Sequence, residues 1–291
     1  LVPIPEFNFE TRDGARMWIS PAYGDAQFAD SLSDPDRLLS DTGCHVIKDE
    51  KKMKVGHLTV NIGGTPRSLY IKRYNAFSLR YALVSSVVKS GALRSLRGAL
   101  ALCKAGIPSV TPVAAVENRR CGIVYKSFFI SEEILDAKTA DAYWKENLQK
   151  LKGREGFNRR RAFLRQLAGV FQQLHAQQID HGDLKDANIL VLADPDGRSF
   201  RLFLLDLERV RRYSRLSQRR QVKSLVQLYR TLGRHVPQPQ QLLFLKSYLG
   251  APFADRRLRR QWIQRVEAVA RRVERLKARR AMIQACLKYV G

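Results

Sequence analysis

Cysteine is scarce in this chain and badly placed to hold it together. Cys44, Cys103, Cys121 and Cys286 are the only four among 291 residues. They form no CxxC pair and no Cys/His cluster, so reduced thiols are expected and no zinc site. Long apolar runs are missing too; none approaches the roughly 18 residues that a membrane span requires. No signal-peptide pattern is visible in a chain that begins at Leu1, and the cytoplasm is the expected compartment. Acidic residues are few, 27 against 52 Lys and Arg, for a formal net charge of +25. With 45% hydrophobic residues the chain is nevertheless globular, with enough length for two lobes or two small domains.

The charge is unevenly placed. Residues 1–45 hold three basic residues against eight acidic ones. Between Arg209 and Arg280 stand 21 Lys or Arg against only Asp255, Glu267 and Glu274. Scattered surface charge merely keeps a protein soluble, but a bias of this strength implies a polyanionic partner such as an anionic membrane, a phosphorylated substrate or nucleic acid.

Chemistry concentrates in His181-Gly182-Asp183-Leu184-Lys185-Asp186-Ala187-Asn188, followed by the apolar run Ile189–Leu192. A second apolar run, Phe203–Leu205, then delivers Asp206. Phosphoryl transfer from ATP needs a carboxylate for the acceptor hydroxyl, a cation near the moving phosphate, and amide and carboxylate oxygens for Mg²⁺. Asp183, Lys185, Asn188 and Asp206 are those groups at that spacing. Taken singly, each reads as a turn or cap residue; the spaced set is what carries the catalytic reading. His181 reads as a loop brace. Strands are expected at Ile189–Ala193 and Phe200–Leu205, joined by a turn at Asp194-Pro195-Asp196-Gly197.

Around this stretch the chain divides into four parts. Residues 1–40, rich in Pro, Asp and Ser, read as an irregular acidic lead-in. Residues 41–133 read as a β-rich lobe with strands at His45–Lys48, His57–Ile62, Leu69–Arg73, Val113–Val116 and Gly122–Phe129. Lys72, which alone would be a solvated edge-strand lysine, fits a nucleotide-phosphate lysine in this company. No glycine interrupts Lys48–Lys54, so phosphates there would be held by lysine side chains and not by a glycine-rich backbone cradle. A helical pattern over 76–105 stops at Ala105-Gly106-Ile107-Pro108 and contains no Asp or Glu to pair with Lys72. Glu117, Glu132 or Glu133 could supply that partner, or none does.

Residues 134–250 read as a helical lobe, with helices at 139–151 and 158–178; Phe163, Leu167, Val170, Phe171 and Leu174 share a face of the second, and His175 reads as a core histidine. Ile130–Ile134 resembles a lobe-connecting hinge, where the backbone of Glu132 and Ile134 would hydrogen-bond adenine. Residues 251–291 read as a basic amphipathic helix, with an apolar stripe from Leu258 through Trp262, Val266, Val269, Val273, Leu276 and Ile283 to Leu287, and arginines on the other faces. The fold class is therefore α+β: a protein-kinase-like two-lobed fold with a small β-rich N-lobe and a larger helical C-lobe.

The runs HGDLKDANIL, LLDLERVR, YIKRY and AGIPSVTPVA resemble the lipopolysaccharide kinase (Kdo/WaaP) family over roughly residues 44–215. The resemblance implies ATP- and Mg²⁺-dependent phosphorylation of a sugar hydroxyl, heptose or Kdo, of the lipopolysaccharide inner core by a cytoplasmic protein peripheral to the inner membrane. It makes Asp183 the catalytic base, Asn188 and Asp206 the Mg²⁺ ligands and Lys72 the phosphate-binding lysine. The expected partners are the lipopolysaccharide core and lipid A acceptor and an anionic membrane surface, with no specific nucleic acid. Two alternatives stand beside it: an aminoglycoside- or choline-type phosphotransferase, and a non-catalytic kinase-like scaffold binding anionic membrane or RNA. A cationic acceptor fits a basic chain poorly, and the intact Lys72, Asp183, Asn188 and Asp206 argue against a scaffold. Leu207-Glu208 replaces the Phe-Gly of protein kinases after Asp206, which gives a loop less able to flip.

Overall fold

The computed structural model describes residues 6–75, 89–196 and 199–289; Arg280 and residues 283–289 are described in backbone only. Part of the helical pattern expected over 76–105, Gly197 of the expected turn, and the side chains of Ile283 and Leu287 lie outside the described residues. The chain forms two compact units. One comprises Leu1–Asp136 with Leu204–Val210, the other Ala137–Phe203 with Arg211–Gly291.

The first unit is built on a seven-stranded sheet. Its strands are β1 (Asn8–Arg12), β2 (Ala15–Ile19), β3 (His45–Glu50), β4 (Met53–Ile62), β5 (Thr65–Asn75), β6 (Pro112–Arg120) and β7 (Ile123–Glu132), in the order β1-β2-β6-β7-β5-β4-β3. The expectation of an irregular lead-in over 1–40 is corrected here: β1 and β2 are two of the sheet's strands. Asp13 and Gly14 sit at φ 49° and 78° between Arg12 and Ala15, the two left-handed residues that a tight antiparallel hairpin needs. Ala15, Met17 and Ile19 then point into the core and are essentially inaccessible, while Phe9 covers Trp18 from the other face, ring centroids 5.1 Å apart. The same segment adds helices α1 (Ala26–Ser31) and α2 (Pro35–Ser40). Asp25 caps α1 by accepting from the Phe28 amide at 2.8 Å. Asp36 on α2 ion-pairs with Arg73 at 2.7 Å and with Lys126, tying the segment to β5 and β7.

Helix α3 (Gly91–Lys104) packs on this sheet, capped by Ser90, whose hydroxyl accepts from the Leu93 amide at 3.2 Å. Ala92, Leu96, Ala99 and Leu102 are buried, one face at helical spacing. Gly106 at φ 66° ends the helix, as the Ala-Gly-Ile-Pro signal requires.

The second unit is mainly helical: α4 (Ala140–Tyr143), running on into a wider-wound turn Trp144–Leu148, then α5 (Gly153–Ala176), α6 (Gln218–Tyr229), α7 (Gln238–Leu249) and α8 (Arg256–Tyr289). β8 (Lys138–Thr139) precedes them, and between α5 and α6 lie β9 (Ile179–Asp180), β10 (Ile189–Ala193), β11 (Phe200–Leu204) and β12 (Arg211–Arg212). β10 lies between β11 and β8, and β12 pairs with β9. On α5, Phe163, Leu167, Phe171 and Leu174 are buried, each contributing on the order of 1.5–3 kcal/mol of hydrophobic stabilisation. Val170 stays half-buried.

The basic helix α8 packs against α6 through its first half, with Trp262 and Ala270 buried. Of its expected apolar stripe, Val266, Val269 and Val273 are half-buried and Leu276 is 47% exposed. No helix among the described residues is long and apolar enough to cross a membrane.

Candidate functional site

The stretch 180–188 folds as a loop in the second unit, and each of its turns has an identifiable brace. Buried Asp180 ends β9 and accepts from the Gly182 amide at 2.9 Å and from Arg220 at 3.0 Å. Gly182 takes φ 78°, a reversal that a side chain would strain. Gln227 on α6 then grips both sides of Asp183: its amide oxygen accepts from the Leu184 N–H at 3.0 Å and its NH₂ donates to the Gly182 carbonyl at 3.2 Å. Asp183 sits between these two points, half-buried.

Asn188, itself buried, donates from Nδ2 to the Asp183 carbonyl at 2.7 Å and to Asp183 Oδ2 at 3.3 Å. This commits the amide nitrogen inward and turns the amide oxygen the other way. Lys185 Nζ lies 3.5 Å from Asp183 Oδ2. Three of the residues singled out in the sequence, Asp183, Lys185 and Asn188, are thus in mutual contact. His181 is buried. His175 lies in the α5 core, its Nδ1 2.8 Å from the Tyr248 hydroxyl, and burial pushes its pKa down to about 4.

In the first unit, Lys72 on β5 donates to Asp206 Oδ1 at 2.6 Å. Burial pulls the ammonium's pKa down, but Tyr74, Asp206 and Glu208 together outweigh it and Lys72 titrates above an ordinary lysine. The acids considered for Lys72 are engaged elsewhere: Glu117 with Arg119 at 2.7 Å, Glu132 with Arg67 at 3.4 Å and Glu133 with His57 at 2.8 Å. That expectation is corrected, because the counter-ion comes from the turn after β11. Asp206 takes a left-handed backbone, φ 56° and ψ 57°, where few residues other than glycine settle.

In the expected hinge, the Glu132 amide donates to the Thr111 carbonyl at 3.0 Å and the Glu133 amide to the Ser68 carbonyl at 2.9 Å. Ile134 follows, half-buried. Sequence reasoning missed Gln227, Arg220 and Arg94. It also passed over Gly98, although a glycine inside a helical pattern signals a close approach.

A model of the lipopolysaccharide kinase (Kdo/WaaP) family matches residues 47–248, most of the chain, including Lys72, Asp183, Lys185, Asn188 and Asp206. The chain belongs to this family. Its members are phosphotransferases with a sugar hydroxyl as acceptor, and a kinase of this kind takes ATP. This lipopolysaccharide kinase has a protein-kinase-like fold. Among solved structures, WaaP in complex with acyl carrier protein superposes with a TM-score of 0.60 at 19% identity, covering 84% of this chain and 97% of that one. A mutant kinase domain of Mycobacterium tuberculosis PknI reaches a TM-score of only 0.35 at 14% identity, over 57% of this chain and 59% of that one. A search of curated proteins finds no match. Membership of a lipopolysaccharide kinase family displaces the aminoglycoside- or choline-type reading.

Proposed function

We propose that this kinase transfers the γ-phosphate of ATP to a heptose or Kdo hydroxyl of the lipopolysaccharide inner core, with Mg²⁺, at the anionic cytoplasmic face of the inner membrane. The observation that carries the residue assignment is the Asn188–Asp183 pair. The amide nitrogen holds the Asp183 backbone and carboxylate at 2.7 and 3.3 Å, so the carboxylate is oriented before substrate arrives.

Asp183 is then the group that accepts the acceptor hydroxyl's proton as its oxygen attacks phosphorus. Lys185, 3.5 Å from the same carboxylate, meets negative charge building on the transferred phosphoryl group. Lys72, charged at neutral pH, holds the nucleotide's phosphates. The backbone carbonyl of Glu132 and the backbone of Ile134 hold adenine, since the Glu132 amide is already committed to Thr111.

The donor set fits Mg²⁺. Asp206 offers a hard carboxylate oxygen, and Asn188 an amide oxygen turned away from its own hydrogen bonds. When bound, Mg²⁺ neutralises charge on the β- and γ-phosphates.

Membrane attachment is proposed for the exposed arginines of α8, among them Arg256, Arg257, Arg260, Arg271, Arg272 and Arg279. Lipid A phosphates and Kdo carboxylates make the acceptor a polyanion, which a chain of net charge +25 attracts. The relative solved with acyl carrier protein makes a carrier protein a further partner to seek by co-purification.

The deciding experiment is ATP turnover with intact and with delipidated core lipopolysaccharide as acceptor, followed by location of the phosphate on the product. Phosphate on a core sugar is expected. Mg²⁺·ATP binding with no transfer to either acceptor would favour the scaffold reading.

A further inference from the structure

We propose that Arg94 is a positioning residue: through Glu208 it locks the turn that carries Asp206 onto helix α3, in place of the helix acid that this chain lacks. The inference rests on reading Asp206 as part of the reactive site.

Arg94 pairs with Glu208 in a half-buried position, the two side chains 22% and 26% exposed. The pair is one of several contacts on a single helical face formed by Gly91, Arg94, Ser95 and Gly98. A Cβ at Gly91 would run into the Tyr74 ring, and the Ser95 hydroxyl lies 2.8 Å from the Tyr74 hydroxyl. A Cβ at Gly98 would overlap the Leu207 carbonyl oxygen. The face is thus cut down to small residues where it meets β5 and the turn, and one long cation reaches across to the turn's acid.

The turn needs such a restraint. Asp206 holds a left-handed backbone, a conformation that persists only where its surroundings over-determine it. Leu207 beside it is buried, and the Val210 amide closes the turn onto the Leu207 carbonyl at 3.1 Å. Lys72, 2.6 Å from Asp206, also lies over the Tyr74 ring, 5.2 Å from its centroid. β5, α3 and the turn therefore form one closed circuit. Protein kinases link the helix to the strand lysine through an acid. Here the helix supplies the cation and the turn supplies the acid, so the charges are reversed and the anchor point moves to the turn.

The test is amide hydrogen exchange on ligand-free Arg94→Gln, Glu208→Gln and the double variant, alongside steady-state kinetics. Each single change is expected to speed exchange at 207–210 by about tenfold, and the double to be no worse than either, because both remove one link. kcat should fall while KM for the acceptor holds, and Arg94→Lys should recover part of the loss. Unchanged exchange at 207–210 in Arg94→Gln, or two single effects that simply add, would overturn the proposal. The exchange arm uses no substrate, so its failure sinks the clamp alone. Loss of the functional reading would show instead as transfer surviving Asp183→Asn.

Discussion

Lys72 and Asp206 are joined at 2.6 Å although 134 residues separate them in the chain. The strand lysine therefore finds its counter-ion on the turn that follows β11, and helix α3 supplies none. The pair places the proposed phosphate-binding cation and a proposed metal ligand in one ion pair before any nucleotide is present.

Asp206→Asn should remove most of the Mg²⁺-dependent part of the thermal shift produced by ATP. For wild type at a ligand concentration 100 times Kd, that shift corresponds to about 2.7 kcal/mol. Glu208→Gln should lose far less of the Mg²⁺-dependent part, because its carboxylate pairs with Arg94 and acts on the metal site only through the turn. Equal, small losses of Mg²⁺ dependence in both variants would put the metal site elsewhere.

Asp183→Asn should abolish transfer while leaving ATP binding intact. Orienting and deprotonating the acceptor hydroxyl is typically worth ~10²–10⁴ in rate, whereas the proposed nucleotide contacts are Lys72 and the hinge backbone. Wild-type-like turnover of the purified variant would remove this loop from the chemistry.

Gln227→Ala should act on the same loop from behind. It strips the Leu184 amide and the Gly182 carbonyl of their partners, at a cost of about 1–3 kcal/mol for each group left unsatisfied. Urea unfolding should show the loss, and kcat should fall with little change in ATP affinity. Gln227→Glu keeps the acceptor and loses the donor, so it should fall between the two.

His175 gives a pH dependence of defined sign. Its folded-state pKa is lowered from 6.5 to about 4 by burial, so the folded protein binds fewer protons than the unfolded chain in that interval. The stability it confers is complete above pH 6.5 and drains away as pH falls toward 4, by on the order of 3 kcal/mol in all. Urea midpoints of wild type and His175→Gln, followed from pH 7 to pH 5, should converge as pH falls. Parallel curves would show that this histidine keeps its ordinary pKa in the fold.

Replacing Arg256, Arg260, Arg271 and Arg279 by Gln leaves Trp262 and Ala270 in place, so circular dichroism should be unchanged. Four lost charges near anionic lipid remove on the order of 4 kcal/mol of attraction, and the variant should leave anionic vesicles at lower salt. Activity on a small soluble acceptor should be kept and activity on the lipid-linked acceptor should fall. Co-sedimentation indistinguishable from wild type across a salt series would reduce α8 to a closing helix.

Local patterns were legible without the fold. The Asp183–Asn188 spacing, the strands around Lys72, the buried face of α5 and the break after Ala105 each follow from neighbours within a few residues, where turn chemistry and hydrophobic periodicity act directly. The β1–β2 hairpin was legible as well, through Asp13-Gly14; the acidic composition around it masked the signal. Tertiary structure alone decided the partners. Lys72 with Asp206, Arg94 with Glu208 and Gln227 with Leu184 are 134, 114 and 43 residues apart. An ion pair or hydrogen bond leaves no periodic trace at such separations. The choice among Glu117, Glu132, Glu133 and Asp206 for one lysine was made by which strands pair and which turn they reach, and that is a property of the sheet and not of any stretch of the chain.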